Sequence, residues 1–122
     1  MSNGAIVHVV VNQSPDAALL ALSEPTRRAV VELLAAGPRR PSDIADSLGT
    51  SRATMSRHLR TLRSAGLLAV ELSETDARER TYSLRADQLG ALRAWVDQVQ
   101  AGWQHQLDSF AAHVERTRSE DT

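Results

Sequence analysis

SDIADSLGTSRATMSRHLRTLRSAG, residues 42 to 66, reads as two short helices joined by a tight glycine turn. The spacing predicts a first helix capped by the Ser42 hydroxyl and stopped by Gly49, since glycine most easily takes the left-handed conformation after a helix end. Ser51 is positioned to cap a second helix running to Gly66. Two helices around a short glycine-containing turn form a helix-turn-helix, whose second helix is built to enter a DNA groove. On a wheel of about 100° per residue, Met55, Leu59 and Leu62 share one face, which must be buried. Ala53, Arg57 and Arg60 lie opposite that face. Thr50, Thr54 and Thr61 flank it on one side, and Arg52, Ser56 and Arg63 on the other.

Charge supports the same expectation. The formal net charge is −1, so the whole chain carries no basic signature. Between Asp46 and Glu71, however, there is no acid, while Arg52, Arg57, Arg60 and Arg63 all fall there. Phosphate attraction is screened within about 8 to 10 Å at cellular salt, so a local basic face is sufficient. Residues near the start of such a helix reach base edges and later ones meet the backbone. Arg52, Thr54, Ser56 and Arg57 are therefore the expected groove-floor residues, with Arg60 and Arg63 on phosphates. An Arg fork matches guanine O6 and N7, which makes Arg52 or Arg57 a candidate reader of G. The helix starts at Ser42 and Ser51 add N–H donors for phosphate. His58, beside the buried stripe, is read as a structural or phosphate-side residue.

Outward from this core, Ser14-Pro15-Asp16 predicts a helix start and a short helix Asp16 to Leu22. Ser23-Glu24-Pro25 opens a second helix that ends at Gly37-Pro38, with Val30, Leu33 and Leu34 facing the core. Leu67 to Leu72 and Arg78 to Leu84 read as two strands around the polar turn Ser73 to Ala77, a β-hairpin wing. Arg78, Arg80 and Arg85 are its candidate DNA contacts, among the acids Glu74, Asp76 and Glu79. Asp87 to about Arg118 is one long helix. Along it Leu92, Val96, Val99, Trp103, Leu107, Phe110 and Val114 form a stripe about eight turns long, more than one small core can cover. Part of it is expected to pair with the same helix of a second subunit. Residues 1 to 13 contain the β-branched run Ile6-Val7-His8-Val9-Val10-Val11, a short strand pairing with a neighbour or a sticky disordered tail, and are read as a partly ordered arm. The organisation expected is an arm (1–13), a winged helix-turn-helix domain with dimerisation helices (14–118) and a tail (119–122), mainly α with a small β component.

Other function classes are weakly supported. The chain has no Cys, which excludes disulfides and thiolate metal sites. No apolar run spans a bilayer and no leader is visible, so a cytoplasmic protein without membrane contact is expected. Ser, His and Asp occur, but without a nucleophile elbow, phosphate loop or metalloprotease signature, so no enzyme is expected. A winged helix that docks proteins instead of DNA remains an alternative.

Taken together, Leu22-Ser23-Glu24-Pro25-Thr26-Arg27-Arg28, Ile44-Ala45, Leu48-Gly49, Ser56-Arg57-His58-Leu59, Leu62 and Ala65-Gly66-Leu67 resemble the ArsR/SmtB family of bacterial regulators. Asp76-Ala77-Arg78 and Tyr82-Ser83-Leu84 resemble its wing. The resemblance covers about residues 16 to 115. It implies a winged-helix homodimer, held by its first and last helices, that represses its own or a neighbouring operon at a palindromic operator and is often released by a metal or other inducer. No inducer is identified by the residues. The family's thiolate site would need Cys where this chain has Ser42, Asp43 and Ile44. Its last-helix site would use Asp97 and His113, but Val99 and Phe110 stand at the two inner positions. His105, Asp108 and His113 are a weaker alternative set for a metal-responsive repressor, imidazole and carboxylate suiting zinc or nickel. No bound metal or cofactor is expected. Ala94-Trp95, Trp103, Leu107 and His113 resemble a metal-blind branch of the family.

Overall fold

The computed structural model describes residues 14–76 and 78–120. The expected arm at residues 1–13, the wing residue Ala77 and the last two residues of the tail lie outside them. The order of elements is α1 (Asp16–Ala21), α2 (Pro25–Leu34), α3 (Pro41–Leu48), α4 (Arg52–Ser64), β1 (Leu68–Leu72), β2 (Arg80–Leu84) and α5 (Ala86–Glu120). Packing divides the chain into two units, one ending at Leu92 and one running from Arg93.

In the first unit, helix ends follow from local chemistry. Glu24 caps α2 by accepting a hydrogen bond from the Arg27 backbone N–H at 3.0 Å, and Pro25 occupies the first helical position. The α3 start corrects the expectation that Ser42 caps it. Arg40 is the N-cap, Pro41 is the first helical residue, and no side chain caps this end. Proline's fixed φ suits that position, so the cap moves two residues upstream and Ser42 falls inside the first turn. Gly49, at φ 67°, ends α3 as its spacing suggested. Ser51 caps α4, its Oγ accepting from the Thr54 N–H at 3.1 Å.

The core gathers Val30 and Leu34 of α2, Ile44 and Ala45 of α3, Met55, Leu59 and Leu62 of α4, and Leu67, Leu68 and Tyr82 of the hairpin region. Ala18 and Ala21 of α1 join it, and Leu33 packs at its edge. The three α4 residues are those the wheel singled out. Burying each such side chain contributes roughly 1.5–3 kcal/mol.

The strands pair antiparallel, Leu68 with Leu84 through Leu72 with Arg80. Both are shorter than expected. β1 starts one residue late, at Leu68, and ends at Leu72, where Ser73 opens the turn: its Oγ accepts from the backbone of Thr75 and Asp76, each at 3.3 Å. Asp76 then accepts from the Arg78 N–H at 3.0 Å, which holds Arg78 in the turn and outside the strand. A third strand-like contact was invisible in the sequence. Arg39, between α2 and α3, donates to the Tyr82 carbonyl at 3.0 Å and accepts from the Tyr82 N–H at 2.8 Å.

Gly66 follows α4 at φ 78°, and a Cβ there would lie 2.9 Å from Cγ of the buried Gln88. Gly49 has a similar φ but open space around it. Gly66→Ala is therefore expected to destabilise by more than the ~1–2 kcal/mol that a left-handed alanine costs, and Gly49→Ala by that amount alone. Thermal unfolding of the two variants tests this; equal losses would show that the Gln88 contact yields freely.

From Arg93 onward the second unit is helical through Glu120 and exposed at every residue. Val96, Val99, Trp103, Leu107, Phe110 and Val114 recur at spacings of three and four along it and stand open, Trp103 at 64% and Phe110 at 67% exposure.

Candidate nucleic-acid interface

The candidate surface is α4 and its neighbours. With Met55, Leu59 and Leu62 turned into the core, helical geometry sends Arg57 and Arg60 to the opposite side. Arg52, Arg57, Arg60 and Arg63 are all exposed, as is Ser56. Thr54 is half-buried and its Oγ1 accepts from the Ser51 hydroxyl at 2.9 Å, so its oxygen is tied into the cap. Thr61 turns back on its own helix, donating to the Arg57 carbonyl at 3.1 Å.

His58 faces the start of α2. It is half-buried, and its Nδ1 lies 3.5 Å from Nη1 of Arg27 and 3.8 Å from Oε2 of Glu24. Arg27 also donates through Nε to the carbonyl of Ala21, and Arg28 donates to that of Leu22 at 2.7 Å. These two arginines thus close the end of α1. Burial pushes the Glu24 carboxyl up, but hydrogen bonds from the Thr26 and Arg27 backbone, the His58 charge and the Thr26 hydroxyl together hold it below the ordinary carboxylate range. Sequence alone places His58 beside the core but cannot supply these partners, which lie about thirty positions away.

The wing carries mixed charge, as its composition suggests. Glu79 forms an ion pair with Arg40 at the head of α3, fastening the turn end of the hairpin to the helix-turn-helix. Arg85 pairs with Asp87 at 2.8 Å, at the start of α5. Arg78 and Arg80 are exposed, the first in the turn and the second on β2. Of the sequence-derived residues, Arg52, Ser56 and Arg80 come together. They line a cleft of about 140 Å³ with Pro41, Ser42, Leu59 and Tyr82. Arg57, Arg60, Arg63 and Arg78 lie outside it. Arg39 and Arg40, overlooked in the sequence, sit at the junction of α3 and the wing. The signal was the Pro38-Arg39-Arg40-Pro41 segment, a cationic pair whose backbone two prolines restrict.

On α5, the structure does not bring His105, Asp108 and His113 together. Among the described residues, no group of three His, Cys, Asp or Glu stands where it would hold a metal. Asp108 accepts a hydrogen bond from Gln104 at 3.0 Å. No helix among the described residues is long and apolar enough to cross a membrane.

Comparison with known proteins agrees with this geometry. A family model described as a helix-turn-helix domain matches residues 22–71, the span from the end of α1 to β1. The HTH-type transcriptional regulator Rv2034 of Mycobacterium tuberculosis is 36% identical over 110 residues, covering 90% of this chain and 96% of that protein. Among solved structures, the ArsR family transcriptional regulator RHA00566 is 27% identical with a TM-score of 0.65, over 73% of this chain and 89% of that one. The homodimeric winged helix-turn-helix DNA-binding domain Mb0332 of Mycobacterium bovis, described as a possible ArsR-family regulator, is 25% identical with a TM-score of 0.54. That match covers 85% of this chain and 89% of that one. The chain belongs to the ArsR family of winged helix-turn-helix proteins, and it is a DNA-binding transcriptional regulator, not an enzyme.

Proposed function

We propose that this protein is a cytoplasmic homodimeric repressor that binds a palindromic operator of its own or a neighbouring operon. The observation that carries this is the α4 surface: four exposed arginines and no acid, backed by a buried Met55-Leu59-Leu62 face. Dimerisation is supported by the exposed stripe on α5, since open apolar area of this extent marks an interaction site. The homodimeric state of the Mycobacterium bovis relative supports it as well. In such a dimer the two α4 helices sit about 34 Å apart and read half-sites one helical turn apart. Within α4, Arg57 reads base edges, while Arg60 and Arg63 bind phosphates.

Titration of duplex binding against salt tests the reading. Affinity is expected to fall linearly on a log–log plot with a slope of about −0.9 per phosphate neutralised. A flat response would assign the basic face to a protein partner instead. The division of roles predicts that Arg57→Ala loses discrimination worth ~1–3 kcal/mol between a selected duplex and random DNA. Arg63→Ala is expected to weaken both duplexes equally. Competition binding separates the two, and the same loss of preference in both variants would overturn the division.

A further inference from the structure

Three elements meet at the 140 Å³ cleft beside the recognition helix: the first turn of α3 (Pro41, Ser42), the start of α4 (Arg52, Ser56) and the head of β2 (Arg80). Buried Leu59 and Tyr82 complete its lining. Its chemistry is cationic. Arg52 and Arg80 both line it, and among the described residues neither forms an ion pair. The α3 N-terminus has no side-chain cap, so its first-turn N–H groups and the positive end of its dipole remain for an external acceptor. Ser42 and Ser56 supply hydroxyls. No carboxylate among the described residues lines the cleft. Asp43 lines a different depression with Arg39, Arg40 and Thr81, and Glu79 is engaged by Arg40.

Two arginines from separate elements lining one cleft, with no acid in its lining, call for an anion, and Arg matches phosphate with its paired donors. The volume suits one small tetrahedral group. We propose that this cleft holds a single backbone phosphodiester of the bound duplex, gripped by Arg52 and Arg80 with Ser42 donating. This assignment rests on the DNA-binding reading above and refines it. Arg52, whose sequence position suggests a base reader, is a phosphate ligand. It lies on the Leu59 flank of α4, turned toward β2, whereas Arg57 lies opposite the buried face. One phosphate thereby engages the wing and the recognition helix together and sets how deeply α4 enters the groove. Base reading is left to the Arg57 side.

The test uses the full chain and a duplex selected from a random pool, in which each phosphate is replaced singly by an uncharged methylphosphonate. In wild type, one position per half-site is expected to cost roughly tenfold or more in affinity. At that position the same replacement is expected to cost the Arg52→Ala, Arg80→Ala double variant less than about twofold, because both guanidinium partners are already gone, and each single variant an intermediate factor. Both side chains are exposed, so unfolding curves should match wild type. Arg52→Ala should weaken selected and random duplexes by the same factor. The double variant should lower the salt slope by about 0.9, the loss of one phosphate. A reduced selected-to-random ratio in Arg52→Ala would overturn the proposal, as would a methylphosphonate profile identical in all proteins. So would inorganic phosphate perturbing the Arg52 and Arg80 signals in NMR spectra while no methylphosphonate position matters. In each of those cases salt-dependent duplex binding survives. Absence of that binding in wild type would instead sink the DNA reading itself.

Discussion

Trp103→Asp is expected to turn a dimer into a monomer and to weaken binding to a two-half-site duplex by about 10²- to 10⁴-fold, the avidity lost when paired modules separate. Trp103 lies mid-stripe, with Val99 one turn before it and Leu107 one turn after, and most of its ring is open in the single chain. An aromatic of this size buries on the order of 150–250 Å² when covered, and such residues dominate interface energetics. A carboxylate in its place would be buried without a partner, because the neighbouring stripe residues are apolar. Light scattering reads the mass, and duplexes with one or two half-sites read the avidity. Wild-type mass in the variant would show that subunits pair elsewhere. An unchanged affinity for one half-site, together with a collapsed affinity for two, is the signature expected.

Leu59→Ala is the second large effect. Leu59 is 1% exposed, on the face of α4 that meets the core, and it also lines the cationic cleft. Truncating a buried leucine removes its transfer free energy and leaves a cavity, costing about 2–5 kcal/mol. Small domains have only about 5–15 kcal/mol in total, so a large share of the stability would go. Urea unfolding should show a lower midpoint at an unchanged slope. Arg60→Ala, on the exposed side of the same helix, should stay within about 0.5 kcal/mol of wild type. A Leu59→Ala loss as small as that would mean that α4 is held by something other than its apolar face.

What sequence could express depended on how local the cause was. Gly49 and Gly66 stopped their helices, Ser51 capped α4, and the Met55-Leu59-Leu62 face turned inward, because each rests on neighbours within a turn or two. Ser42 misled because a good capping side chain stood directly after a proline. The ring of Pro41 suits the first helical position so well that the start moved upstream. The wing strands were visible in the run around Val70 and Tyr82, but the turn hydrogen bond from Arg78 to Asp76 that shortened β2 was not. Longer-range features left no local trace. The Arg39–Tyr82 bridge joins residues more than forty positions apart. The cleft draws on three elements, none of which announces it alone. The wheel already set Arg52 on a flank of α4 and Arg57 opposite the buried face, but only the fold brings Arg80 of β2 to the same cleft as Arg52.

The bridge between Arg39 and Tyr82 constrains how such a regulator can let go of its operator. Tyr82 joins the core with its ring and holds the α2–α3 connection with both backbone groups. Swinging the hairpin away from the reading head would sever two hydrogen bonds and uncover an aromatic at the same moment. Within a protomer the two therefore travel as one piece. In the dimer proposed above, a release signal would then have to change the separation or tilt between protomers, so that a pair of unbent tools no longer matches the pitch of the duplex.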